Sequence, residues 1–119
     1  MNYFNYYLDA FRKYATFNGR ASRAEYWYFV LFNVIISIVV EVIASGIKIS
    51  VISTLYFLAV LVPSTAIASR RLHDIGKSFY WLLIALIPII GTIWIIVLLA
   101  KKGNTGDNKY GSDPKVAQA

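Results

Sequence analysis

Ile49-Ser50-Val51-Ile52-Ser53-Thr54-Leu55-Tyr56-Phe57-Leu58-Ala59-Val60-Leu61-Val62-Pro63-Ser64-Thr65-Ala66-Ile67-Ala68-Ser69 carries no charged side chain. Arg70-Arg71-Leu72-His73-Asp74-Ile75-Gly76-Lys77-Ser78 follows at once and holds the only histidine of the chain. A hydrocarbon core about 30 Å thick is crossed by roughly 20 predominantly apolar helical residues, and the first stretch meets that length. Ser78 to Ala100 is a second uncharged run of this kind, and Tyr26 to Val40 a third if Glu41 is tolerated near its end. The 119 residues are 58% hydrophobic and 15% charged, whereas soluble domains are about 45–50% apolar and about 25% charged. A soluble protein burying three such helices would need polar outer faces, which these runs lack. The expectation is an all-α integral membrane protein, a single membrane domain over 1–119.

Outward from that run, the chain divides at its charges. Tyr3, Phe4, Tyr7, Leu8, Phe11 and Tyr14 recur at helical spacing opposite Asp9, Arg12 and Lys13, which predicts an interfacial amphipathic helix over 3–16. Phe17-Asn18-Gly19 supplies its stop. Ser22-Arg23-Ala24-Glu25 has the spacing of a capping box and precedes the aromatic cluster Tyr26-Trp27-Tyr28-Phe29, so membrane helix 1 is expected over 23–45. Ser45-Gly46-Ile47-Lys48 reads as a turn, and 49–75 as membrane helix 2 with its basic elbow. Pro63 interrupts that helix beside Ser64 and Thr65, whose hydroxyls suit the backbone carbonyl that a proline frees. Pro88 and Gly91 break the third segment, 79–100, and 101–119 is a tail of turn residues.

Lysines and arginines set orientation. Arg12, Lys13, Arg20 and Arg23 precede helix 1, Lys48 alone lies in the first turn, and Arg70, Arg71 and Lys77 occupy the elbow. The amino terminus and the elbow are therefore expected to be cytoplasmic. Lys101, Lys102, Lys109 and Lys115 in the tail favour a third segment that turns back and is re-entrant; its uninterrupted apolar length favours one that crosses. The net charge of +6 borders apolar spans, so it reads as topology and anionic headgroup contact rather than nucleic-acid binding. With no cysteine there is neither a disulfide nor a thiolate metal site, and no cofactor is expected.

Two sets of residues stand out as functional candidates. Asn33, Ser37 and Glu41 follow one another at four-residue steps on one face of helix 1, and a polar stripe in a membrane helix faces other helices or a wet cavity. Lys48 is placed to share water with Glu41 or pair with it. The second set is Arg20, Arg23, Glu25, Arg70, Arg71, His73 and Asp74, a candidate headgroup or partner cluster in which the elbow closes on 20–25 and its arginines hold either headgroups or the acids Asp74 and Glu25. Gly76-Lys77-Ser78 imitates the end of a phosphate loop, but Arg71 stands where the earlier glycine belongs. His73 and Asp74 are neighbours on a helix and do not face each other, so no catalytic constellation is complete and no enzymatic activity is expected. The expected role is structural or interactive, with lipid headgroups, a second copy or a membrane partner protein as partners. A subunit of a small oligomeric transporter or channel using the Asn33–Ser37–Glu41 face is the alternative.

Four motifs carry a resemblance over nearly the whole chain. They are Phe17-Asn18-Gly19-Arg20-Ala21-Ser22-Arg23-Ala24-Glu25-Tyr26-Trp27, then Arg70-Arg71-Leu72-His73-Asp74-Ile75-Gly76-Lys77-Ser78, then Ile87-Pro88-Ile89-Ile90-Gly91, and finally Gly103-Asn104-Thr105-Gly106-Asp107-Asn108-Lys109-Tyr110-Gly111-Ser112-Asp113-Pro114. In this order they resemble the domain of unknown function 805 family, which are small bacterial inner-membrane proteins. The second motif departs mildly, with the aromatic Phe79 where the family usually has glycine. The resemblance implies a bacterial inner-membrane location and brings no activity with it.

Overall fold

The computed structural model describes residues 3–114, so Lys115 lies outside the described residues. Regular structure among them is helical: α1 (Phe4–Arg12), α2 (Arg23–Ile47), α3 (Val51–Asp74), a 3-10 helix (Phe79–Leu86) and α4 (Ile90–Ala100). Two of these, α2 and α3, are long and apolar enough to cross a membrane.

The start of α2 is written locally. Ser22 Oγ accepts the Glu25 amide at 3.2 Å while Glu25 Oε1 accepts the Ser22 amide at 3.4 Å, which is the expected capping box. Its end is not where Gly46 suggested. The helix runs through that glycine, and Lys48 takes the left-handed turn at φ 58°. Ile49 donates to the Ala44 carbonyl at 3.0 Å, so the stop is made by backbone bonds one turn later. In α3, Pro63 removes the amide that would reach residue 59, and Thr65 Oγ1 bonds the Leu61 carbonyl at 2.8 Å in the same stretch.

The first helix is shorter than its apolar periodicity, ending at Arg12 instead of residue 16. The chain must turn there because Phe17 and Gly19 lend their carbonyls to Ser69 and His73 on α3. Tyr7 and Ala10 form its buried face. Tyr7 stacks on Phe29, Phe4 meets Phe32 edge-on, and Tyr3 stacks on Tyr28, so α1 lies along the first turns of α2.

The third segment breaks where Pro88 and Gly91 stand. Ile89 sits at φ 65°, α4 begins at Ile90, and a Cβ on Gly91 would come within 1.7 Å of the Ile84 carbonyl oxygen. Glycine is thus required for the two arms to close on each other. At about 2.0 Å per residue in a 3-10 helix and about 1.5 Å in an α-helix, the arms of 8 and 11 residues are of similar length. The sequence left the first arm's form open; the structure makes it 3-10. Both arms return to one end of the α2–α3 pair: Phe79 packs edge-on against Phe17, and the Leu99 carbonyl accepts from Trp27 and Arg71. That end, which also receives the tail, is called the charged end below; the α2–α3 turn at Lys48 is the opposite one.

Candidate functional site

Asp74, the last residue of α3, is the centre of the charged end. Its side chain is buried and accepts from two arginines 54 and three residues away. Arg20 reaches Oδ1 through Nε at 3.0 Å and Nη2 at 2.9 Å, and Arg71 reaches Oδ2 through Nη1 at 2.8 Å. Two guanidiniums against one carboxylate leave an excess positive charge, which backbone carbonyls offset. Arg71 Nε donates to Leu99 O at 2.9 Å, and its Nη2 bonds Lys101 O. Those carbonyls end α4, where the helix dipole is negative, so Arg71 acts as that helix's cap. Arg20 Nη2 and Nη1 reach Asn104 O and Gly106 O, each at 2.6 Å, and Gly111 O at 3.2 Å.

Residues 103–113 of the tail are therefore part of the folded structure. Asn104 donates its amide to Asp74 O at 2.7 Å, and Gly106 donates its own to Asp113 Oδ2 at 3.0 Å. Gly103 passes so close that a Cβ there would lie 1.8 Å from Asp74 Oδ2. His73 points away from Asp74. Its Nδ1 contacts Gly19 O at 2.8 Å, and because a carbonyl only accepts, that nitrogen carries the proton. Tyr110 stacks on the imidazole at 4.0 Å with the rings 4° from parallel, and Asn108 donates to the His73 carbonyl at 2.9 Å.

Of the expected cluster, Arg20, Arg71 and Asp74 meet directly, and His73 stands beside them in a separate set of contacts. Arg20, Arg71 and Asp74 close on the tail. Of the two expected uses of these arginines, headgroups or the acids Asp74 and Glu25, Arg20 and Arg71 take Asp74, and each of their side-chain nitrogens donates inward. Arg23 is exposed on the first turn of α2, while Glu25 completes the capping box and acts electrostatically on Arg70. Arg70 is buried at 3% exposure, yet its Nε and Nη1 have no hydrogen-bond partner. Asn104, Asn108 and Tyr110 were missed as site residues; their presence in the fourth motif was the signal for them. A cleft of about 450 Å³ opens beside His73, lined by Phe17, Asn18, Ser69, Phe79 and Tyr80.

The other expected face also takes shape. Asn33, Ser37 and Glu41 line a cavity of about 300 Å³ between α2 and α3, together with Ser53, Tyr56 and Ser64, which the sequence reading had not included. Tyr56 donates to Asn33 Oδ1 at 2.7 Å, which leaves its oxygen to accept from Tyr7 at 3.0 Å. Burial, and then this bond, push the Tyr7 phenol above its ordinary pKa. Ser37 donates to the Asn33 carbonyl at 2.6 Å. Glu41 and Lys48 share a smaller cavity of about 180 Å³ at the turn without forming an ion pair there.

The model of the family described as protein of unknown function (DUF805) matches residues 14–112, a span that begins after α1 and ends in the Arg20-bound tail. The chain belongs to the DUF805 family. It is 41% identical over 112 residues to the inner membrane protein YhaI of Escherichia coli strain K12, covering 92% of this chain and 95% of that one. It is 38% identical over 120 residues to the inner membrane protein YhaH of the same strain, covering 94% and 98%. No solved structure matches the chain. The matched DUF805 region contains every residue of the Arg20–Asp74–Arg71 set.

Proposed function

We propose that this protein is a multi-pass inner-membrane protein with a structural or interaction role, whose charged end lies on the cytoplasmic side and contacts anionic lipid headgroups. In this reading α2 and α3 cross the bilayer, α1 leans against them from the interface, and the third segment is re-entrant. The observation that carries it is the distribution of positive charge. Arg23, Lys101 and Lys102 are exposed at the end where Arg20, Arg70 and Arg71 are buried, and Lys48 alone marks the other end. Lysines and arginines near an anionic leaflet each contribute about 1 kcal/mol of attraction, and the excess marks the cytoplasmic side. A partner protein with an acidic segment would use the same surface.

The test replaces Arg23, Lys101 and Lys102 together by Gln and compares the lipids retained by the protein when it is extracted in native membrane discs. Anionic lipid enriched around the wild type should fall towards the bulk composition in the variant. Equal enrichment in both would reject headgroup contact through these side chains.

A second reading, a transport subunit using the Asn33–Ser37–Glu41 face, is favoured by the cavity of about 300 Å³ that those residues line. It requires an oligomer, because two crossing helices and a hairpin do not enclose a pore. Ion flux through proteoliposomes that is unchanged by Glu41→Gln would reject it.

A further inference from the structure

Arginines 20, 70 and 71 occupy the same end of the fold, and they are treated very differently. Every side-chain nitrogen of Arg20 and Arg71 donates to a carboxylate or a carbonyl. Arg70, at 3% exposure, is buried more deeply than Arg20 and nearly as deeply as Arg71, with Nε and Nη1 unmatched. Buried polar groups are hydrogen-bonded in about nine cases out of ten, and a charged guanidinium is the group least suited to be the exception. Its surroundings explain what would match it. The Arg70 carbonyl takes the Ala21 amide at 2.9 Å, directly before α2, and its charge acts on Glu25 in the first turn of that helix. Lys13 acts on the same carboxylate. The positive end of a 25-residue helix and the cations Lys13 and Arg70 therefore act on Glu25 from one side of the balance, with Asp74 on the other.

We infer that Arg70 binds the phosphate of an anionic lipid headgroup at the start of α2. This rests on the proposed membrane orientation, which puts Arg70, one turn from the end of α3, at headgroup depth. The two nitrogens have no open surface in this structure, so the Arg70 side chain swings outward to meet the phosphate. The phosphate then supplies the acceptors that Nε–H and Nη1–H lack, and a guanidinium–phosphate pair is among the stronger charge-assisted contacts. The site holds one discrete lipid, unlike the diffuse attraction of the exposed lysines.

The experiment is native mass spectrometry of detergent-solubilised protein titrated with phosphatidylglycerol, with inorganic phosphate and glycerol 1-phosphate as separate arms. One phosphatidylglycerol should be retained at high salt, and Arg70→Gln should weaken it at least about ten-fold, with Arg70→Lys intermediate. Replacing Arg23, Lys101 and Lys102 should leave this retained lipid in place, which separates failure of the site from failure of the broader headgroup reading. Equal retention by wild type and Arg70→Gln, or binding of the soluble phosphates as tight as that of the lipid, would overturn the inference. Should Arg70→Gln not fold, solid-state NMR of the wild type in phosphatidylglycerol bilayers decides: dephasing of the Arg70 side-chain nitrogens by lipid phosphorus supports the site, and its absence refutes it.

Discussion

Replacing Asp74 by Asn keeps the shape of the side chain and one acceptor oxygen while removing the charge that two arginines share. In the wild type the carboxylate takes Arg20 Nε at 3.0 Å, Arg20 Nη2 at 2.9 Å and Arg71 Nη1 at 2.8 Å, with its side chain 1% exposed. Breaking a buried ion pair by removing one partner costs about 3–5 kcal/mol. Asn retains a neutral hydrogen bond with a net value of about 1 kcal/mol, so its cost should lie near the lower end, and that of Asp74→Ala near the upper. The loss should also be local before it is global, because Arg20 holds Asn104, Gly106 and Gly111 only while it is itself held. Reversible unfolding in mild detergent gives the energy, and limited trypsin digestion after Lys101, Lys102 and Lys109 reports whether the tail has come loose. A double-mutant cycle with Arg20→Gln should show the two substitutions to be less than additive. An Asn variant within about 1 kcal/mol of wild type, with its tail still resistant, would refute the view that Asp74 organises this end.

Other expectations follow from single contacts. Gly91→Ala places a methyl 1.7 Å from the Ile84 carbonyl, so the two arms must separate; circular dichroism and thermal unfolding should show a loss of at least about 1–3 kcal/mol, the usual cost of overpacking. Ser22→Ala removes the acceptor of the Glu25 amide and should cost about 1 kcal/mol in the same unfolding assay. His73→Phe keeps a ring against Tyr110 but loses the bond to Gly19. Tail protection from trypsin should therefore survive better in His73→Phe than in His73→Ala.

What could be read from the residues was what is written locally. The capping box at Ser22 and Glu25 needs only neighbours three apart. The break near Pro88 needs only the ring and the glycine after it. Gly46 misled because a glycine marks a stop only if the backbone bonds beyond it agree, and here Ile49 bonds back to Ala44. The direction of the third segment was undecidable by counting, since apolar length and charge pointed opposite ways. Asp74 was legible as one partner for the elbow arginines, but most partners of Arg20 and Arg71 are backbone carbonyls, which have no residue identity to recognise. Arg20 and Asp74 stand 54 residues apart, and the tail that covers them is made of turn residues whose side chains largely do not advertise a role. On the Asn33–Ser37–Glu41 face the helical spacing was legible, whereas Ser53, Tyr56 and Ser64 came from a different helix with no matching period.

The tail, the elbow and residues 17–22 meet at one end of the fold, where Arg20 holds Gly106 and Gly111, and in the proposed orientation that end lies on one side of the membrane. The chain contains no cysteine, so single cysteines at Asn18, Ser50 and Ser112 can be labelled with an impermeant maleimide from each side of oriented membrane vesicles. Asn18→Cys and Ser112→Cys should react from the same side and Ser50→Cys from the opposite one. Labelling of Ser112→Cys from the side that reaches Ser50→Cys would contradict the account.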